Sequence, residues 1–138
     1  MRLPADANVS ARSYAGAMVT FDQFLTMGLA LPRATERLTW ETEVTLRVGE
    51  KIFAMGTPDS GAVCVKASKE DQAELLAAAP EIFSVAPYVG RHGWVLVSLA
   101  KVDPDELHDL LVEAWRSIAP KKLVREFDAA EIKGSGPV

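Results

Sequence analysis

Arg91 and His92 stand between two glycines, in Gly90-Arg91-His92-Gly93, and carry the most pointed chemistry of the chain. Flanking glycines let a backbone turn tightly and come close to a ligand. An arginine at such a tip suits a narrow DNA groove. The alternative is a pair of ordinary polar turn residues. Lys121, Lys122 and Arg125 form the densest basic group. They could hold phosphates and set register without reading bases. The alternative is a helix C-terminus with a solvated tail, its charge diluted by Glu126 and Asp128. Lys66 and Lys69 flank the expected start of a helix after Ser68. Free backbone amides there would also face an anion, although the Ser68 side chain takes one of them.

Other chemistries find less support. His92, His108 and Cys64 are scattered without metal-ligand spacing. Cys64 sits in an apolar run, where a thiol is an inert small hydrophobe. Gly134-Ser135-Gly136 precedes no helix and so cradles no phosphate. Asp103, Asp105, Glu106, Asp109 and Glu113 read as the cap and solvated face of a helix. No two groups with complementary acid–base roles can be assigned to one pocket. The expectation is a non-enzymatic protein without cofactor or metal.

The elements that must position these residues follow from periodicity. Thr20 and Gln23 form a capping-box pair ahead of Phe21, Phe24, Leu25, Gly28 and Leu29, the stripe of an amphipathic helix ended by Pro32. Val44, Leu46 and Val48 alternate with polar residues as in a half-buried strand. Gly49-Glu50 turns that strand back into 51–55, and 57–61 turns again into a third strand, 62–66. Ser68 and Asp71 open a second helix, ended by Pro80. A short strand over 85–89 is demoted to an edge by Pro87. After the 90–93 tip, 94–99 returns as a central strand. Asp103 as N-cap, Pro104 at N1 and Glu106 at N3 start the last helix, which Pro120 ends. Lys121 and Lys122 then complement its C-terminus.

The order is α-β-β-β-α-β-β-α. Short turns between strands imply an antiparallel sheet, and one-faced helices imply a two-layer α+β sandwich. Trp115 and Trp94 belong to the core. Trp40 lies in a connection and packs over the first helix. Residues 1–17 read as a disordered N-terminal tail, 18–127 as one domain and 128–138 as a flexible C-terminal tail, with Met18 an alternative start. A length of 138 residues suits one domain, and 49% hydrophobic composition suits a packed core. A single cysteine fits a reducing cytoplasm. No apolar run reaches the about 18 residues that a membrane span requires. The net charge of −4 opposes a nucleic-acid partner unless cations gather on one face.

The chain also resembles the MmcQ/YjbR family of small bacterial proteins. The resemblance is carried by Leu31-Pro32-Arg33-Ala34-Thr35-Glu36 with Trp40, by Val48-Gly49-Glu50-Lys51-Ile52-Phe53-Ala54, by Val63-Cys64-Val65-Lys66 and by Ala79-Pro80-Glu81-Ile82-Phe83. Tyr88, Gly90-Arg91-His92-Gly93-Trp94-Val95 and the helix into Ala119-Pro120-Lys121-Lys122-Leu123 complete it. The match runs over roughly 19–127. It implies a secretion-chaperone-like fold, also compared with frataxin, and a DNA-binding role through wing-like hairpins. The chain departs from the pattern in its N-terminal segment and in Gly93 with Val95, which replace a His-Trp-Asn wording. Two functional classes are therefore expected. One is a duplex-DNA binder using Arg91, His92, Lys121, Lys122, Arg125, Lys66 and Lys69. The other is a protein-interaction or dimerisation module.

Overall fold

The computed structural model describes the backbone of residues 5–12, 14–15, 19–39 and 42–135, and the side chains of 19–39 and 42–130. Trp40 lies outside the described residues. Ala5–Arg12 (β1) and Tyr14–Ala15 (β2) pair antiparallel in a two-stranded sheet of their own.

The main unit begins with α1, Phe21–Leu29. Its capping box forms as the sequence requires: the Thr20 hydroxyl accepts from the Gln23 amide at 3.0 Å, and Gln23 Oε1 accepts from the Thr20 amide at 2.9 Å. Four strands follow: β3 (Ala34–Thr39), β4 (Glu43–Val48), β5 (Lys51–Gly56) and β6 (Ala62–Val65). Helix α2 is Lys69–Ala78, capped by the Ser68 hydroxyl accepting from the Asp71 amide at 3.0 Å. Then come β7 (Phe83–Val85), a 3-10 turn at Gly90–His92, β8 (Val95–Ser98), α3 (Pro104–Ile118) and α4 (Lys121–Ser135). Asp103 caps α3, its carboxylate accepting from the Asp105 and Glu106 amides.

The strands form a six-stranded antiparallel sheet in the order β3-β4-β5-β6-β8-β7, with helices against one face. This is the α+β architecture expected. Three differences have physical causes. Strand β3 was not expected, because only its two end residues are even half-buried, so an edge strand needs no apolar alternation. The seventh strand ends at Val85, and Pro87 lies in the following turn. The chain from Asp128 is not a tail: α4 carries it to Ser135. Pro120 both ends α3 and opens α4, since a proline tolerated at a helix start also stops the helix before it.

Alternation sorts the two sheet faces. Leu46, Phe53, Val63, Val65, Val95 and Val97 point to the helices and are buried. Phe24 of α1 and Leu107, Leu111 and Trp115 of α3 close the core over them. Trp115 is fully buried, and its indole N–H donates to the Pro32 carbonyl at 2.9 Å. Phe127 stacks obliquely on the same ring, with centroids 5.0 Å apart. Arg116 reaches Asp128 through a bidentate pair and lies over the Phe127 ring. These contacts are what fold α4 back on α3.

The other face carries a cross-strand row, Thr45, Met55, Cys64, Leu96 and Ser84. Thr45 and Arg47 are buried there, and Arg47 Nε donates to Thr45 Oγ1 at 2.9 Å. Burial pushes the Cys64 thiol up to about 11.

Two consequences can be measured. Replacing Trp115→Ala removes the α3–α4–sheet keystone and costs about 3–5 kcal/mol in urea unfolding, against under half of that for an exposed α3 change such as Asp109→Ala. Because only the thiolate reacts, Cys64 in native protein resists iodoacetamide at pH 8 and gains reactivity only as the pH nears about 11. Fast native-state labelling at pH 8 would contradict this environment.

Candidate nucleic-acid interface

In an antiparallel sheet, chain connections alternate between two ends. The register here decides which end receives each candidate residue. Ala34 pairs with Val48, Val48 with Lys51, Ala54 with Val65, Val65 with Val95, and Val95 with Val85. The start of β3, the β4–β5 turn, the end of β6, the start of α2 and the β7–β8 connection therefore share one end of the sheet. Arg33, Lys51, Lys66, Lys69, Arg91 and His92 all emerge there. The end of α3 reaches the same place, since Ser117, Ile118 and Lys121 border a groove with Val48, Gly49 and Lys51.

The opposite end receives the reverse charge. It holds Glu43 at the start of β4, Asp59 in the β5–β6 turn and Glu81 before β7. Asp103, Asp105 and Glu106 cap α3 there. The Val19 amide donates to the Leu99 carbonyl at this end, which brings the first turn of α1 and Asp22 alongside. Lys101 is the cation in this group. The molecule is anionic in sum yet divided into a basic and an acidic pole.

The Arg91–His92 segment is not a projecting wing. The 3-10 turn is pressed onto the start of α2. Gln72 Nε2 of α2 donates to the Gly90 carbonyl at 2.8 Å and to the Trp94 carbonyl at 2.7 Å. Gly93 adopts φ +103 against the α2 N-terminus. A Cβ there would fall 2.7 Å from the Ser68 carbonyl carbon and 2.9 Å from the Lys69 nitrogen. Glycine is thus required for both conformation and space. Arg91 and His92 stay exposed on this fixed turn, and Arg91 Nε donates to His92 Nε2 at 3.3 Å. Lys66 lies over the buried Trp94 ring, 6.0 Å from its centroid.

Lys121 and Lys122 follow the C-terminus of α3, as the sequence suggests, but they also start a further helix. They occupy the first turn of α4, which has no acidic residue. Positive charge at a helix start opposes the macrodipole. Lys121 lines a groove of ≈ 990 Å³ with Arg33 and Lys51, and Lys122 lines a smaller one with Arg33 and Glu126. Arg125 is exposed one turn further along α4. Between these lysines and Lys66 lies Ser117, which borders both the larger groove and a trench between α2 and α3.

The basic end also holds carboxylates: Glu70 and Asp71 in the first turn of α2, and Glu50 in the β4–β5 turn, which is partly neutralised. Arg37 grips it through both guanidinium nitrogens at 3.3 Å, and Arg47 stands 3.8 Å away. The Arg37 hydrogen bonds, followed by the Arg37 and Arg47 charges, hold the Glu50 carboxyl below its usual range.

Sequence reasoning missed three residues of this end. Arg33 and Tyr88 hold left-handed backbone, at φ 61 and 64. Neither is a residue type that favours it, so each conformation costs about 1–3 kcal/mol. Tyr88 is 97% exposed, an aromatic ring offered to solvent in the β7–β8 connection. Lys51 stands in the sequence as no more than the start of a strand. Periodicity gave no signal for any of them, because only strand register places them at the same end of the sheet as Lys66.

Among the described residues, no group of three or more His, Cys, Asp or Glu side chains could hold a metal, and no helix is long and apolar enough to cross a membrane.

Comparison with known proteins agrees with the architecture. A solved structure of the Deinococcus radiodurans protein DR2400, a DUF419 domain, superposes with a TM-score of 0.68 at 21% identity, covering 76% of this chain and 82% of that one. DUF419 and YjbR denote the same family. The uncharacterized protein Rv2570 of Mycobacterium tuberculosis is 32% identical over 93 residues, which is 65% of this chain and 72% of its own length. The uncharacterized protein Mb2600 of Mycobacterium bovis matches over the same extent. The YjbR family model matches residues 29–117, from the end of α1 into the last turn of α3, and the chain belongs to the YjbR family.

Proposed function

We propose that this protein is a non-enzymatic DNA-binding protein that lays the basic end of its sheet across the phosphates of a duplex. The observation that carries the reading is the convergence of Arg33, Lys51, Lys66, Lys69, Arg91, Lys121 and Lys122 on one pole through strand register. Six strands have five spacings of roughly 4.8 Å, so the row is about 24 Å long. That matches about seven base pairs at 3.4 Å each.

Local charge, not net charge, governs phosphate contact, because each neutralised phosphate releases counterions. The acidic pole faces away and would orient the molecule in the DNA field. Phosphate at the start of α4 would relieve the mismatch between Lys121, Lys122 and the helix dipole. Exposed Tyr88 adds a group able to stack or to hydrogen-bond a phosphate. Arg91 and His92 act from a rigid turn rather than as a groove-reading wing, so the contact is with backbone and carries little sequence preference.

A second reading has one specific observation behind it. Leu38 on the β3 edge and Val85 on the β7 edge are 65% and 53% exposed. Uncovered apolar side chains on edge strands favour sheet-edge association. Light scattering across protein concentrations separates the two readings, since edge pairing raises the mass without DNA.

The direct test is duplex-DNA binding over a salt series. With four to six phosphate contacts, log K against log salt falls with a slope of about −4 to −5. Lys121→Ala/Lys122→Ala makes that slope shallower by about 1.8. Lys101→Ala, at the acidic pole, leaves it unchanged. Binding that ignores both salt and the double change sinks the proposal.

A further inference from the structure

The helix layer over the sheet is incomplete. Helix α3 packs over β5 and β6, while α2 packs beside β7. The two run in opposite directions, since α2 starts at the basic pole and α3 ends there. Helix α2 buries none of its residues completely. A trench of ≈ 710 Å³ opens between them, in the range of volumes that bind ligands. Its apolar lining comes from Leu75 and Ala78 of α2 and Leu110 of α3. Both walls carry carboxylates: Asp71 and Glu74 on α2, Glu113 on α3.

The charge of this lining is unbalanced. Lys66 is engaged at one mouth over the Trp94 ring, and His92 stands at that mouth with it. Among the described residues, Asp71 and Glu74 form no ion pair, and Glu113 shares Arg116 with Asp128. An apolar floor between acidic walls selects an occupant that is apolar in the middle and cationic on both sides.

We propose that the α2–α3 trench is a docking site for a basic amphipathic segment of a partner protein. The segment inserts an apolar side chain between the helices, against Leu75 and Leu110, and sets Lys or Arg against Glu74 and Glu113. This is peptide capture in a preformed groove, with affinity from the apolar anchor and selectivity from charge. Its contacts at Leu75, Leu110, Glu74 and Glu113 are not phosphate contacts, although Lys66 and His92 at the trench mouth border both surfaces. A DNA-bound molecule would still present the trench, which runs from the basic pole toward the acidic one.

The probe is a blocked synthetic peptide of Lys-Leu-Leu-Lys repeats, with a Glu-Leu-Leu-Glu peptide as its charge-reversed match. Binding is followed by amide chemical shifts in the full chain. The Lys peptide should shift Leu75, Ala78 and Leu110 amides, and the Glu peptide should not. Glu74→Lys/Glu113→Lys should weaken the Lys peptide at least about tenfold. Glu81→Lys, at the acidic pole and outside the trench, should leave it within about twofold. The DNA salt slope of each variant is measured in parallel, so a failed trench and a failed phosphate surface give separate results. The proposal is overturned by no binding up to about 1 mM, which means binding weaker than about −4 kcal/mol; by shifts centred on the acidic pole or on Val85 and Tyr88; or by equal binding of both peptides. Equal affinity for hexylammonium alone would also overturn it, in favour of a small amine.

Discussion

Antiparallel register is the constraint on which everything else depends. Once Leu46, Val63, Val65, Val95 and Val97 must face the helices, each strand can pair with its neighbour in only one phase. A slip of one residue would turn the apolar set outward. Register in turn decides at which end each turn emerges. The β4–β5 turn, the β6–α2 junction and the β7–β8 connection have no choice but to meet. Cations far apart in sequence become neighbours through the same pairing that builds the core.

The second support is the seat of Trp115. Its ring is fully buried in the core below α3, its N–H satisfies the Pro32 carbonyl, and Phe127 packs obliquely on it. That single side chain therefore ties together the end of α1, the third helix and the fourth. The loop carrying Arg33 leaves from the same carbonyl. The strained backbone of Arg33 persists because its neighbours on both sides are fixed: Leu31 is in the core, and Ala34 pairs with Val48. Packing and the basic pole are thus mechanically one object.

The β7–β8 connection illustrates how glycine and a buried amide convert a loop into a platform. Gly90 is buried against Val85, Gly93 lies flat on the α2 N-terminus, and Gln72 adds a second hydrogen bond to the Gly90 and Trp94 carbonyls, which also accept from the Gly93 and Ala86 amides. Arg91 and His92 gain fixed positions and lose reach. A surface of that kind suits backbone contact, where placement of charge matters more than insertion.

The local elements were legible because their causes are local. The Thr20–Gln23 box, the Ser68 cap and the Asp103-Pro104 start each bring their own hydrogen-bond partners within a few residues. Strand β4 follows from apolar alternation, although Thr45 and Arg47 on its other face are buried as well, and β6 follows from the turn before it. Strand β3 left no such trace, since an exposed edge is held by backbone pairing alone. Helix α4 was hidden because its reason for existing lies elsewhere: Leu123 and Phe127 need the α3 surface, and Asp128 needs Arg116. The residue types of the basic pole could be read from the chain, but their assembly could not. Arg33, Lys51, Lys66, Arg91 and Lys121 come to one end of the sheet only through contacts across long sequence separations. Spacing along the chain holds no record of such contacts, so the sequence by itself determined the helices, the main strands and the α+β class, and the tertiary structure alone decided which charges share a face.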